Sequence, residues 1–343
     1  VALRDEILEQ PAVAARLLDG ARERVERIAR AVVDRGIDHV VIAARGSSDH
    51  AAIYAQYLLG VAHRLPVALA APSILSHYGV EPRFGRALVI GISQSGASPD
   101  VVGVIAAARR QGVPTIAITN APESALATAA EHVIDLAAGP ERSIAATKTY
   151  TAELLAVAML SSALGGDPGI QSLGAMPAAI EQALAAEPVA ERFAGELSAI
   201  RACTVLGRGF EYATAREWAL KLKELARVLA DPYSAADFRH GPLAMVEAGS
   251  PVFAVVPSGP TAADTAALLE RVGQAGAELL VLSDDPGLRA LGARSIPLPA
   301  GVAVELTPIT SAVVAQLTAL HLALAIGLDP ETPPHLEKVT LTE

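Results

Sequence analysis

The chain has 343 residues, 52% hydrophobic and 19% charged, which is ample apolar material for one large or two medium domains and argues against disorder. A net charge of −10 argues against a nucleic-acid partner, which needs a basic face, and 3% aromatic residues leave few platforms for stacked bases. The single cysteine, Cys203, leaves no disulfide framework and no thiolate metal cluster, and it fits a reducing, cytoplasmic compartment.

A helix is expected over residues 1–30, and a first domain over 31–169. Within that domain "HVVIAARG" (39–46), "RALVIGIS" (86–93), "PTIAIT" (114–119) and "EHVIDL" (131–136) are short β-branched runs with the character of buried strands. Helical stretches such as "SDHAAIYAQYLLGVAHRL" and "SPDVVGVIAAARRQG" separate them. This βαβα order predicts a parallel sheet covered by helices on both faces. "LGGDPG" (164–169) closes the domain, and Gly and Pro punctuate a linker helix over 170–197.

The second half repeats the order over an expected domain at 198–328. "ACTVLGRG" (202–209), "PVFAVVPSG" (251–259) and "AELLVLSD" (277–284) are its strands, and the last two with their intervening helix overlay residues 90–120 at a shift of 163 to 164. A tail over 329–343 follows. Arg, Asp, Glu, Gly or Pro is expected to interrupt every long apolar run before it can span a bilayer, and no basic-then-apolar leader precedes the first helix. No membrane association is expected.

Open α/β sheets bind ligands at the carboxyl ends of their strands. There "ARGSSDH" (44–50) offers Gly46, Ser47 and Ser48 before a helix, and "SQSGASPD" (93–100) offers Ser93, Gln94, Ser95 and Ser98 before another. Small hydroxyls and backbone amides at helix starts form an anion cradle; the same residues also serve as plain helix caps, and both readings stay open for each turn. Neither turn has dinucleotide-fingerprint spacing, and no G-x-x-x-x-G-K-[ST] occurs.

"EWALKLKEL" (217–225) places Glu217, Lys221 and Glu224 on one helical stripe, with Trp218, Leu222, Leu225 and Leu229 on the next and Lys223 and Arg227 elsewhere. Periodicity alone allows a solvated flank of i,i+4 ion pairs. Asp231-Pro232 is expected to stop this helix, after which "YSAADFRHGPL" brings His240 into a rigid turn. A carboxylate, an ammonium and an imidazole near a phosphate cradle would suit proton transfer beside a sugar carbonyl. The eight histidines show no H-E-x-x-H spacing, so no metal and no cofactor are expected.

"ARGSSD", "SQSGASPD", "ERSIAATKTYTAEL", "EWALKLKEL", "DFRHGPL" and "HLEKVTLTE", in this order, resemble the tandem sugar isomerase (SIS) domains of glutamine–fructose-6-phosphate aminotransferases and of the free-standing isomerising glucosamine-6-phosphate deaminases. The resemblance implies two α/β domains, each a flavodoxin-like or Rossmann-like three-layer αβα sandwich. It implies a sugar-phosphate site at Ser47, Ser48, Ser93, Gln94, Ser95 and Ser98, with the backbone near Ile144 lining the pocket. It further implies that Glu224 moves a proton between C1 and C2, supported by Glu217 and Lys221. His240 would open the sugar ring from the neighbouring subunit of a homodimer, and the tail Lys338 would form an imine at C2 of a ketose.

No N-terminal cysteine nucleophile is present, so a glutaminase half is expected to be missing. Arg45 and the tail "EKVTLTE" resemble the free-standing members more, which makes glucosamine-6-phosphate deamination to fructose 6-phosphate and ammonia the leading expectation. An ammonia-dependent aminotransferase or isomerase, a deglycase of a fructosamine phosphate, and a non-catalytic sugar-phosphate sensor are the alternatives.

Overall fold

The computed structural model describes residues 2–165 and 168–339. Its elements are α1 (Ala2–Leu8), α2 (Gln10–Val33), β1 (His39–Ala43), α3 (Ser47–His63), β2 (Val67–Leu69), α4 (Ser73–Ser76), β3 (Ala87–Ile92), α5 (Pro99–Arg110), β4 (Thr115–Thr119), α6 (Ala125–Ala129), β5 (His132–Asp135) and α7 (Lys148–Ala163). There follow α8 (Met176–Leu184), α9 (Glu187–Glu196), β6 (Ala202–Gly207), α10 (Glu211–Ala226), β7 (Leu229–Ser234), α11 (Ala235–Phe238), β8 (Pro251–Val255), α12 (Ala262–Gln274), β9 (Glu278–Ser283), α13 (Pro286–Arg289), β10 (Arg294–Pro297) and α14 (Thr307–Ala325), with 3-10 turns over Pro168–Ala175 and Pro242–Met245. Residue 1, residues 166–167 within the expected boundary "LGGDPG", and residues 340–343 of the expected tail lie outside the described residues. Where one N-terminal helix is expected, two occur, α1 and α2.

The chain forms two compact units. Among the described residues, the first comprises 9–142, 148–165, 168–176 and 336–339, and the second comprises 2–8, 143–147 and 177–335. Each holds one five-stranded parallel sheet, in the order β2-β1-β3-β4-β5 in the first and β10-β9-β8-β6-β7 in the second. Taken from the first strand of each unit, the two orders are the same, 2-1-3-4-5. In both, the chain reverses its direction of winding between the first and third strands, which makes β1/β3 and β6/β8 the switch points where such sheets open a crevice.

The central strands form because their residues are apolar on both faces: all of "ALVIGI" in β3 and "TIAIT" in β4 are buried. α2 runs alongside with Val13, Leu17, Val25, Ile28 and Val32 buried, spaced for one helical face, and Pro11 in its first turn where a missing N–H costs nothing. In the second unit Trp218 of α10 is fully buried and stacks on Phe253 of β8 with ring centroids 5.1 Å apart, which fixes the rotation of α10 on its sheet.

Two expectations need correction. α10 is not stopped by Asp231-Pro232: it ends at Ala226, where Arg227 turns left-handed at φ 54° and Val228 N–H bonds back to Leu222 C=O at 3.1 Å. Residues 229–234 are instead the edge strand β7, where proline is tolerated, and Leu229 is exposed rather than part of the helix's apolar stripe. The second concerns apolar runs. α14 is 19 residues long, carries no charged side chain, and by length and composition alone is able to cross a membrane. Every residue from Thr307 to Ala323 is nevertheless buried, packed against α10 and α9 of its own unit.

Candidate active site

At the switch point of the first unit, β1 runs out into Ala44-Arg45-Gly46 and α3 begins at Ser47; β3 runs out into Ser93–Ser98 and α5 begins at Pro99. Gly46 adopts φ 58° at the start of α3. Ser98 occupies the cap position of α5 but makes no side-chain cap bond, so the plain capping reading fails there. Two helices of 17 and 12 residues thus begin at neighbouring strand ends without a bond from their cap residues, and in the first turn of α5 the Asp100 carboxylate takes the Val101 N–H at 2.8 Å while pairing with Arg45.

The loop 93–98 is folded by its own groups. Ser93 Oγ accepts from Gly96 N–H at 3.2 Å, Ser95 Oγ accepts from Ala97 N–H at 3.3 Å, and the Gln94 carbonyl accepts from Asn120 N–H at 3.1 Å. Gly96 has φ 61°, and a Cβ there would lie 2.0 Å from Ser124 Oγ, so only glycine fits. The Ser48 hydroxyl donates to Glu153 Oε1 at 2.7 Å, both residues being buried. Arg45 Nε donates to Asp100 Oδ2 at 2.7 Å, tying the loop after β1 to the first turn of α5.

In the same unit Lys338 reaches Glu141: Nζ donates to Oε2 at 2.7 Å, and the Glu141 side chain is fully buried. Thr149 adds two bonds to that carboxylate, from its N–H at 3.1 Å and its hydroxyl at 2.8 Å. Ile144 is half-buried in the segment 143–147, which belongs to the second unit, where Ser143 N–H faces the Glu6 carboxylate at 3.3 Å.

In the second unit α10 brings Glu217, Lys221 and Glu224 together. Lys221 Nζ lies 2.6 Å from Glu224 Oε2 and 3.4 Å from Glu217 Oε1. The side chains of Glu217 and Lys221 are 0% and 1% exposed and that of Glu224 is 21% exposed. A solvated flank is excluded: burying this ammonium and carboxylate costs several kcal/mol unless they neutralise each other, and Glu224 is the member that meets solvent. Lys223 is exposed and stands apart from this cluster, as periodicity predicts. His240 is exposed in the turn after α11, its N–H bonded to Asp237 C=O at 2.9 Å, and Gly241 follows at φ 123°.

The second switch point repeats the first in part. Arg208, after β6, pairs with Asp264 in the first turn of α12, as Arg45 pairs with Asp100; Arg239 joins the same carboxylate at 2.8 Å. Gly207 lets the chain pass, since a Cβ there would lie 2.2 Å from the Glu211 carbonyl oxygen. Glu211 is buried and accepts from Thr307 Oγ1 at 2.6 Å and Ser311 Oγ at 3.1 Å; burial pushes its carboxyl above the usual carboxylate range, and the hydrogen bonds from Thr307 and Ser311 offset part of this. Cys203 is buried and its thiol is pushed up to about 12, which makes it inert as a nucleophile at neutral pH.

Sequence reasoning did not single out Asp100, Glu141, Glu153 or Glu211. All four are buried carboxylates, three of them within helices and Glu141 in the segment before α7. Glu153 was detectable, because beyond Lys148 in the first turn α7 is otherwise a run of mostly buried apolar and small polar residues.

The SIS domain model matches residues 35–163 and 196–326. The chain belongs to the SIS-domain family. Among curated relatives it is 33% identical over 344 residues to the isomerizing glutamine–fructose-6-phosphate aminotransferase of Pyrococcus horikoshii, covering 98% of this chain and 57% of that protein, and 33% identical over 356 residues to that of Bradyrhizobium diazoefficiens, covering 98% and 58%. It therefore spans a little over half the length of these relatives. Among solved structures, a provisionally assigned phosphosugar isomerase from Silicibacter pomeroyi is 34% identical with a TM-score of 0.86, covering 96% of this chain and 99% of that one. A glucosamine-6-phosphate deaminase from Thermotoga maritima superposes with a TM-score of 0.80 over all of both chains, at 22% identity, a likeness of fold.

Proposed function

We propose that this SIS-domain chain is a sugar-phosphate isomerase of the aminotransferase type, interconverting fructose 6-phosphate and glucosamine 6-phosphate with ammonia as the nitrogen partner. The observation that carries the reading is the buried Glu217-Lys221-Glu224 cluster with Glu224 at its solvent-facing end. Lys221 occupies one oxygen of Glu224 and fixes the carboxylate, and the other oxygen takes the proton from one sugar carbon and returns it to the next. The helix starts at Ser47 and Pro99 receive the phosphate, with Ser47, Ser93, Gln94, Ser95 and Ser98 around it. The Ser48 hydroxyl proton is committed to Glu153, so Ser48 serves the phosphate through its backbone N–H. Ile144 backbone lines the pocket, His240 opens the ring across a homodimer, and Lys338 captures the C2 carbonyl.

The relatives at 30% identity and above that carry an aminotransferase name favour this reading over the deaminase expected from sequence. Deamination is the same reaction run backwards, so one experiment addresses both. The protein is incubated in D2O with fructose 6-phosphate plus ammonium, and separately with glucosamine 6-phosphate, and sugar and ammonia are quantified. Deuterium entering C1 or C2 with net formation of glucosamine 6-phosphate supports the proposal. Exchange with net release of ammonia alone assigns the deaminase, and no exchange with either sugar overturns the isomerase reading.

A further inference from the structure

Lys338 is held by a carboxylate that none of the proposed steps uses. Glu141 has a fully buried side chain, is braced by two bonds from Thr149 in the first turn of α7, and lies 2.7 Å from Lys338 Nζ. A buried carboxylate supported by an N–H and a hydroxyl is a fixed group with little freedom to move, and it holds Lys338 Nζ in place. We propose that Glu141 is the proton acceptor for Lys338, taking the Nζ proton as the amine adds to the sugar carbonyl. This rests on the reading of Lys338 as the carbonyl-capturing amine.

The step balances within the pair. One Nζ proton passes to Glu141 Oε2, the freed lone pair forms a bond to C2, and the carbonyl π pair becomes the carbinolamine oxygen, which takes a second Nζ proton. That hydroxyl leaves as water with the proton held by Glu141, and the nitrogen lone pair closes the iminium. The net change is ammonium plus ketone to iminium plus water, with Glu141 again a carboxylate. Because the first transfer is internal, capture of the carbonyl needs no proton release to solvent.

This gives a readout that a merely structural latch would not move. Full-length protein is mixed with fructose 6-phosphate and sodium borohydride between pH 7 and 9, and the rate of reduced adduct at Lys338 is followed by mass spectrometry. The wild type is expected to show a nearly flat rate. In Glu141→Gln, which keeps an acceptor oxygen but takes no proton, the rate should rise close to tenfold per pH unit, since the proton now leaves to solvent, while fructose 6-phosphate affinity stays within about twofold. Glu141→Asp should restore the flat profile at a lower rate, which also controls for folding. Parallel profiles in wild type and Glu141→Gln overturn the role of Glu141 alone. Absence of any wild-type adduct at Lys338 overturns the reading of Lys338, and the inference with it.

Discussion

Lys221 bonds one oxygen of Glu224 at 2.6 Å from a position that is itself almost wholly buried. The ammonium is anchored from below by Glu217, so the pair cannot rotate away as an exposed i,i+3 ion pair would. The carboxylate on the solvent side is therefore held in one orientation by its neighbours, as the proposed proton shuttle requires.

Glu224→Gln keeps the shape and the bond to Lys221 but removes the basic oxygen. Solvent deuterium exchange at C1 and C2 should fall by about 100-fold or more, with fructose 6-phosphate affinity changed less than about threefold. A matching loss of affinity would make Glu224 a structural residue.

Gly96→Ala tests the loop proposed to cradle the phosphate. The new methyl would meet Ser124 Oγ at 2.0 Å, at a φ of 61° that alanine disfavours, so the loop must open. Stability should drop by about 1–3 kcal/mol, and sugar-phosphate affinity should weaken at least about tenfold while circular dichroism still reports the fold. Unchanged affinity would separate the loop from the phosphate site.

Glu211→Gln tests the buried carboxyl of the second unit. Burial raises the Glu211 carboxyl, so above the ordinary carboxylate range the folded chain retains a proton that the unfolded chain has released. Native protein then binds more protons than unfolded, and this group's contribution makes stability fall as pH rises from that range through the raised folded value. The variant lacks that decline and keeps an oxygen to accept from Thr307 and Ser311. Its unfolding midpoint relative to wild type should climb with pH over that window; parallel curves would refute the assignment.

The central strands of both sheets were legible in sequence because a strand covered on two faces must be apolar throughout, as β3 and β4 are. The strands that escaped, β2, β7 and β10, all lie at sheet edges, where half-exposure breaks the apolar run. β7 even contains Asp231-Pro232, a pair that in isolation signals a stop. The charged stripe of α10 was legible by period, but its burial was not, since a stripe of Glu and Lys looks the same in water as under a loop. The pairing of Glu141 with Lys338, 197 residues apart, has no local signature at all.

The burial of α14 also bears on how the chain comes into being. An emerging segment of 19 uncharged, largely apolar residues looks the same to membrane-insertion machinery as a true span, because that decision is made on hydropathy before tertiary structure exists. Its packing partners α9 and α10 precede it along the chain, α10 ending more than eighty residues before α14 begins, so they emerge from the ribosome first. Substitutions that strip apolar side chains from the α10 face against α14 are therefore expected to lower the yield of folded chain as well as its chemistry, because the element order supplies the cover for α14 before α14 is made.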